Sequence, residues 1–283
     1  MPPPKPPPRP QLTHFLCIPL ATMASRPQLA DSLATFHADV SALSVSMTSG
    51  GSGGPSSANN SNATTRRGQL PPSALRPVGT LHLTLGVLSL GDNDRLQQAV
   101  QRLQSLAKDD GGDDTVAKPE DKPISMALRG LHAMQPPARA TVLYASPVDE
   151  STGQLAAAGG PLLALCERVR AAFADLIVPD ERPLLLHATI VNTVYAKERR
   201  GGGRGGRGGR GGGNRGGRGG HGGGAKLTFD AREIIERYDD FVWMERMPVR
   251  TVALCRMGAQ TTEVDDDGNV ADAEYPVEVD IKI

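Results

Sequence analysis

Cysteine is scarce in this 283-residue chain, and the three present, Cys17, Cys166 and Cys255, sit in apolar segments without CxxC spacing. That pattern offers no disulfide framework and no zinc-ligand set. It reads as reduced, buried thiols of a cytosolic or nuclear protein. Long apolar runs are missing too: none approaches the ~18 residues of a membrane span. The first ten residues, MPPPKPPPRP, have no apolar signal core. They form a polyproline-type tail, either a ligand for a proline-reading domain or a solvated extension. No phosphate-cradling GxGxxG or Walker pattern forms around Gly79, Gly86 or Gly130, and His14, His37, His132 and His221 lack metal-ligand spacing. Net charge is also absent, with 31 basic against 31 acidic residues.

That neutral average conceals a split. Residues 199–224 hold seven Arg and no acid, which leaves the rest of the chain with 24 basic against 31 acidic residues. A mildly acidic body carrying one concentrated cationic segment points to that segment as the contact for an anionic partner. The segment is an RGG box by composition. Glycine keeps its backbone unrestricted, and each Arg can pair with phosphate bidentately or stack on a base. Arg204, Arg207, Arg210, Arg215 and Arg218 are therefore candidate RNA contacts, with a passive insertion as the alternative.

Two tripeptides stand out from the rest. His82-Leu83-Thr84 lies in Leu81–Leu88 (LHLTLGVL), and His187-Ala188-Thr189 lies in Leu184–Val191 (LLLHATIV). Both runs read as strands, in which side chains alternate between faces. His82 and Thr84 then share the face opposite Leu81, Leu83 and Leu85, and His187 and Thr189 share the face opposite Leu186, Ala188 and Ile190. Two imidazoles and two hydroxyls suit a phosphodiester site without metal. One His takes a proton, the other gives one, and Thr84 and Thr189 hold the non-bridging oxygens.

The remaining elements interleave. Residues 13–20 form a strand, Pro27–Leu43 a helix, and Met47–Leu75, rich in Ser, Gly, Asn and Pro, a disordered loop. Helices are expected over Asp92–Leu106 and Pro161–Leu176, and strands over Ile124–Leu131, Ala138–Ala145, Arg250–Met257 and Val277–Ile283, the last two joined through a turn at Asp265–Gly268. An acidic loop spans Asp109–Asp121. Asp230 and Glu233 form a capping-box pattern ahead of a helix with Ile234, Ile235 and Tyr238 on its apolar face. Phe15, Tyr144 and Tyr195 read as packing aromatics, with base stacking as the alternative. The order implies an α+β domain at residues 12–283 behind a tail at 1–11, with insertions at 47–75 and 199–224.

Paired His-x-Thr strands resemble the two-histidine (2H) phosphoesterase superfamily. The segments Thr13–Leu20, Leu81–Val87, Gly130–Met134 with Thr141–Ala145, Leu186–Thr193 and Phe229–Tyr238 occur in the family's order. They are most similar to the RNA 2',5'-ligase-like domain of an A-kinase anchor protein and to the first subunit of the activating signal cointegrator complex. The resemblance implies a bilobal fold of two pseudo-symmetric antiparallel sheets, flanked by helices, around a central cleft where the motifs meet. It implies His82 and His187 as the general acid–base pair of a hydrolase acting on a 2',5'-linked oligonucleotide, a 2',3'-cyclic phosphate or an RNA 3' end. No metal or organic cofactor is expected. The other reading is a nucleotide- or RNA-end-binding module without turnover, in an RNA-processing or transcription-coactivator complex. No KH-type GXXG precedes the domain, which weakens the cointegrator reading, and no amphipathic kinase-anchoring helix is evident outside it, so kinase anchoring is not carried over. The expected protein is a monomer of nucleus or cytoplasm.

Overall fold

Alternation of apolar and polar side chains sets the sheet, and helices cover one of its faces. The computed structural model describes residues 10–49, 64–109, 124–196, 227–266 and 268–283. In chain order the strands and helices are β1 (His14–Pro19), α1 (Arg26–Ala42), β2 (Val45–Ser49), β3 (Thr64–Gly68), β4 (His82–Leu88), α2 (Asn93–Asp109), β5 (Ser125–Ala133) and β6 (Val142–Asp149). They continue with β7 (Gln154–Leu155), α3 (Pro161–Ala172), β8 (Ala188–Asn192), β9 (Leu227–Phe229), α4 (Arg232–Arg237), β10 (Val242–Pro248), β11 (Thr251–Arg256), β12 (Gln260–Val264), β13 (Val270–Glu274) and β14 (Val277–Lys282).

One antiparallel sheet runs in the order β10-β5-β6-β8-β4-β1-β11-β14, with β7 added beside β6. It has two halves of four strands, β8-β6-β5-β10 and β4-β1-β11-β14, so the two expected sheets are fused edge to edge. The seam is the pairing of Leu83 with Ala188, the central residues of the two His-x-Thr motifs. Leu83, Leu85, Ala188 and Ile190 from the seam join Leu16, Ile18, Leu143, Val252 and Leu254 in the buried core. Leu29, Leu33, Phe36 and Val40, at helical spacing along α1, close over them. α1 packs on β10, α2 on β14, α3 on β4 and α4 on β5. The helices thus occupy the core side, and the other face of the seam is left for the polar residues of the motifs.

Several expectations shift. The stretch 47–75 holds the last three residues of β2 and all of β3, which form a separate three-stranded sheet with β9. Met47 is buried there opposite Phe229, an apolar partner far away in sequence, and Val45, opposite Gly68 of β3, is buried in the same core. Residues 50–63, including GGSGGP, lie outside the described residues, as do most of the acidic loop and tail. Ala231, not Asp230, takes the N-cap position of α4; the Asp230 carboxylate accepts from the Arg232 backbone amide at 3.2 Å, and Glu233 pairs with Arg237 at 3.4 Å instead of closing a capping box. A hairpin, β12–β13, is built around the Asp265–Gly268 turn between β11 and β14. β10 was not expected at all. Arg246 sits there in the left-handed region at φ 52°, and the register with β5 slips between Met244 and Met247, which erases the two-residue alternation.

Candidate active site

Each candidate histidine is fixed by the same short-range contact. His82 Nδ1 donates to the Thr80 carbonyl at 2.8 Å, and His187 Nδ1 donates to the Leu185 carbonyl at 2.8 Å. A carbonyl only accepts, so in the neutral ring the proton sits on Nδ1 and Nε2 keeps its lone pair. His82 is the first residue of β4. His187 lies just ahead of β8, so the strand expected at Leu184–Val191 begins only at Ala188. The ring of His187 takes the Leu185 carbonyl, a group that a longer strand would offer to its neighbour.

The seam crosses the motifs. With Leu83 opposite Ala188 in an antiparallel pair, the register sets His82 against Thr189 and Thr84 against His187. All four lie on the face opposite the core. A cavity of about 170 Å³ opens there, lined by Arg76, Thr80, His82, Thr189, Asn192, Tyr195 and Tyr275. His82 and Thr189 are in its wall; Thr84 and His187 are not among its lining residues. A second cavity of similar size, about 170 Å³, shares His82 and Tyr275 and is otherwise mainly apolar, with Phe15, Cys17, Leu81, Cys255 and Val277 in its lining.

The surroundings of the two rings differ. Phe15 lies 4.8 Å and Tyr275 5.4 Å from the His82 ring, and Tyr144 lies 5.4 Å from the His187 ring. Burial pushes His82 down to about 4; the Thr80 carbonyl opposes this, while the Arg76 guanidinium and His187 add to it. Burial also lowers His187, opposed by the Leu185 carbonyl. Both rings are therefore neutral at neutral pH before an anion arrives.

Arg76 is the residue that sequence reasoning missed. It is only 8% exposed, and its guanidinium donates to the Tyr275 hydroxyl at 3.2 Å and lies 4.3 Å from the centre of the Tyr195 ring. Its backbone amide donates to the Ile190 carbonyl at 2.9 Å, tying it to β8 beside Thr189. A buried cation facing a cavity with the His82 imidazole and the Thr189 hydroxyl is an anion seat. The only sequence signal was an arginine set between Leu75 and Pro77 six residues before His82. Tyr275 was missed as well, and burial raises its hydroxyl to about 12, so it stays a hydrogen-bonding phenol. Phe15 is a packing residue as expected, buried in a cluster with Cys17, Ala253 and Cys255 and in contact with the His82 ring, whereas Tyr195 is largely exposed at the cavity and Tyr144 stands beside His187. His132 extends the row, 5.6 Å from Tyr144.

The three cysteines are buried thiols, with the Sγ atoms of Cys17 and Cys255 3.8 Å apart. Among the described residues no three His, Cys, Asp or Glu side chains gather as a metal site. Arg204, Arg207, Arg210, Arg215 and Arg218 lie outside the described residues. On either side of that stretch, Thr193 Oγ1 donates to the Leu227 carbonyl at 2.6 Å, so the chain leaves and returns at one point beside Tyr195.

Residues 12–266 match the AKAP7 2'5' RNA ligase-like domain. The chain belongs to this family. An uncharacterized protein of Schizosaccharomyces pombe, C15D4.13c, is 24% identical over 202 residues, covering 70% of this chain and 76% of that protein. Among solved structures, Escherichia coli LigT complexed with 3'-AMP is 14% identical with a TM-score of 0.46, covering 97% of this chain and 99% of LigT. A structure described as a phosphoesterase is 13% identical with a TM-score of 0.44, covering 96% and 99%.

Proposed function

We propose that this protein is a metal-independent phosphodiesterase for RNA-type linkages, with His82 as general base and His187 as general acid. The observation that carries the reading is the matched pair of Nδ1 contacts, which leaves one Nε2 on each side of the seam for proton transfer. His82 is the base because its enclosure and the Arg76 guanidinium favour the neutral ring. Its Nε2 takes a proton from water or a ribose hydroxyl as that oxygen attacks phosphorus. His187, further from the guanidinium, carries a proton once a phosphate anion is bound and gives it to the leaving oxygen. Thr189 and Thr84 donate to the non-bridging oxygens, and Arg76 offsets the charge that grows on them in the transition state.

The apolar cavity beside His82 supports a nucleoside as the attached group, since Phe15, Leu81, Tyr275 and Val277 in its lining suit the apolar surface of a base. The substrates proposed are a 2',5'-linked oligonucleotide, a 2',3'-cyclic phosphate or an RNA 3' end. The arginine-glycine segment is proposed as a tether for longer RNA. One observation favours a second reading, a binding module without turnover: a ring held neutral down to about 4 is a weak base. Product analysis in EDTA on 2',5'- and 3',5'-linked dinucleotides and 2',3'-cyclic nucleotides separates the two. Turnover of at least one class is expected; binding without any product would establish the second reading.

A further inference from the structure

The carbonyl that holds His82 is itself anchored from a distant strand. Residues 78–80 form a short 3-10 turn ahead of β4, closed by the Thr80 amide and hydroxyl, which donate to the Pro77 carbonyl at 3.1 and 2.7 Å. β13 runs directly against this turn. Asp272, 8% exposed, accepts from the Gly79 amide at 2.9 Å and from the Ala273 amide at 2.9 Å through Oδ1, and from Arg26 at the start of α1 at 2.5 Å through Oδ2. Arg26 also donates to Glu274. The approach is so close that a Cβ on Gly79 would stand 2.7 Å from the Ala273 carbonyl oxygen and 2.6 Å from Glu274 Cγ. Only glycine fits there. Burial would push the Asp272 carboxyl up, but the Gly79 amide, Arg26 and the Ala273 amide outweigh it and hold it below the usual carboxylate range.

We propose that Asp272 is a positioning residue for His82. By pinning the Gly79 amide it fixes the turn that ends at Thr80, so that the Thr80 carbonyl points at His82 Nδ1 and the free lone pair stays on Nε2. Arg26 orients the carboxylate and thereby ties the start of α1 to the ring. Three residues further on, just past the end of β13, Tyr275 meets the same imidazole in a T-shaped contact with ring centroids 5.4 Å apart, so this segment holds both the backbone partner of His82 and the ring itself. The role assigned to the ring rests on the phosphodiesterase reading; the anchoring does not.

The test uses the full chain carrying Asp272→Ala, and Arg26→Met as a second variant that keeps the Gly79 acceptor. The imidazole nitrogens are read by two-dimensional proton–nitrogen NMR at pH 7, and kcat and KM are measured on whichever dinucleotide or cyclic nucleotide the wild type turns over. Wild-type His82 is expected to be an Nδ1–H tautomer. Asp272→Ala should give a mixture containing the Nε2–H form and lower kcat roughly 10- to 100-fold with KM little changed, the scale set by loss of a partner that orients a histidine. Arg26→Met should move both readouts in the same direction by less, and it stands in if the Ala variant does not fold. Folded variants whose His82 stays entirely Nδ1–H with wild-type kcat would overturn the proposal, because a merely structural contact changes stability alone. A tautomer shift in a protein without turnover would uphold the anchoring and sink the enzymatic reading. Turnover with an unchanged tautomer does the reverse.

Discussion

Acidification should remove stability through His82, by an amount that follows from its surroundings. The ring titrates near 6.5 in an unfolded chain and near 4 in the folded protein, with burial as the main cause and Arg76 a contributor. Its folded pKa is depressed, so between those values the unfolded state binds the extra proton and stability rises with pH. The contribution is fully present above 6.5, is lost as the pH falls toward 4, and changes no further below that. The full difference corresponds to roughly 3 kcal/mol, and solvent in the open cavity reduces this to roughly 2–3 kcal/mol. Urea unfolding of wild type and His82→Gln at several pH values from 7 down to 4 isolates the effect. His14 and His37, also lowered by burial, are common to both proteins and cancel in the difference. The variant should gain on the wild type by about that amount across the window. Parallel stability curves would refute the enclosure argument, because they would mean the folded ring titrates like a free one.

Replacing either His82 or His187 by Ala should lower kcat by ~10²–10⁴-fold with nucleotide affinity much less affected, and the double variant should fall short of the product of the two losses. The profile of kcat/KM should be bell-shaped, rising as His82 loses its proton near about 4 and falling below 6.5 as His187 loses its own; a steadily rising rate would contradict the assignment. Arg76→Met should weaken nucleotide binding in calorimetry roughly 10- to 100-fold, the value of a charge-assisted hydrogen bond. It should also raise the His82 pKa, and unchanged affinity would remove Arg76 from the site. Deleting residues 199–224 should leave dinucleotide turnover near wild type while reducing both affinity for long single-stranded RNA and its salt dependence. Unaltered RNA binding would make the segment a passive insertion.

What the sequence made legible depended on whether the signal was local. The alternation of Leu81, Leu83 and Leu85 around His82 and Thr84 is written within one strand, and β4 appears as read. The spacing of Leu29, Leu33, Phe36 and Val40 is likewise local, and α1 starts and ends within one residue of expectation. β2 was obscured because its burial comes with β9, more than a hundred residues away, and β3 because it is an exposed edge strand held only by its pairing with β2. β10 was obscured because Arg246 breaks its alternation. In the site, the motif residues were visible because their types repeat. Arg76 and Tyr275 were not, since neither belongs to a pattern and each gains meaning only by meeting the other at 3.2 Å across the cavity. Asp272 is further still from any sequence signal: its partner is a backbone amide.

The two motifs share a local frame, so the frame cannot be what separates an acid from a base. Each ring is tethered by Nδ1 to the carbonyl two residues before it, at the same 2.8 Å, and each stands opposite a threonine of the other strand. An isolated duplication of that kind would give two equivalent imidazoles. The difference enters from outside the motifs. Phe15, Tyr275 and the Arg76 cation surround one ring, and the Thr80 carbonyl that holds it lies on a turn pinned by β13. The other has Tyr144 beside it and a tether from Leu185, which is 41% exposed. Desolvation and a nearby positive charge both disfavour an imidazolium, so they act together on His82 and only burial acts on His187. A phosphate anion settling against Arg76 would cancel much of the charge term while leaving the enclosure intact. The order of proton affinities would then persist through binding, with His187 the ring that holds a proton as the reaction begins.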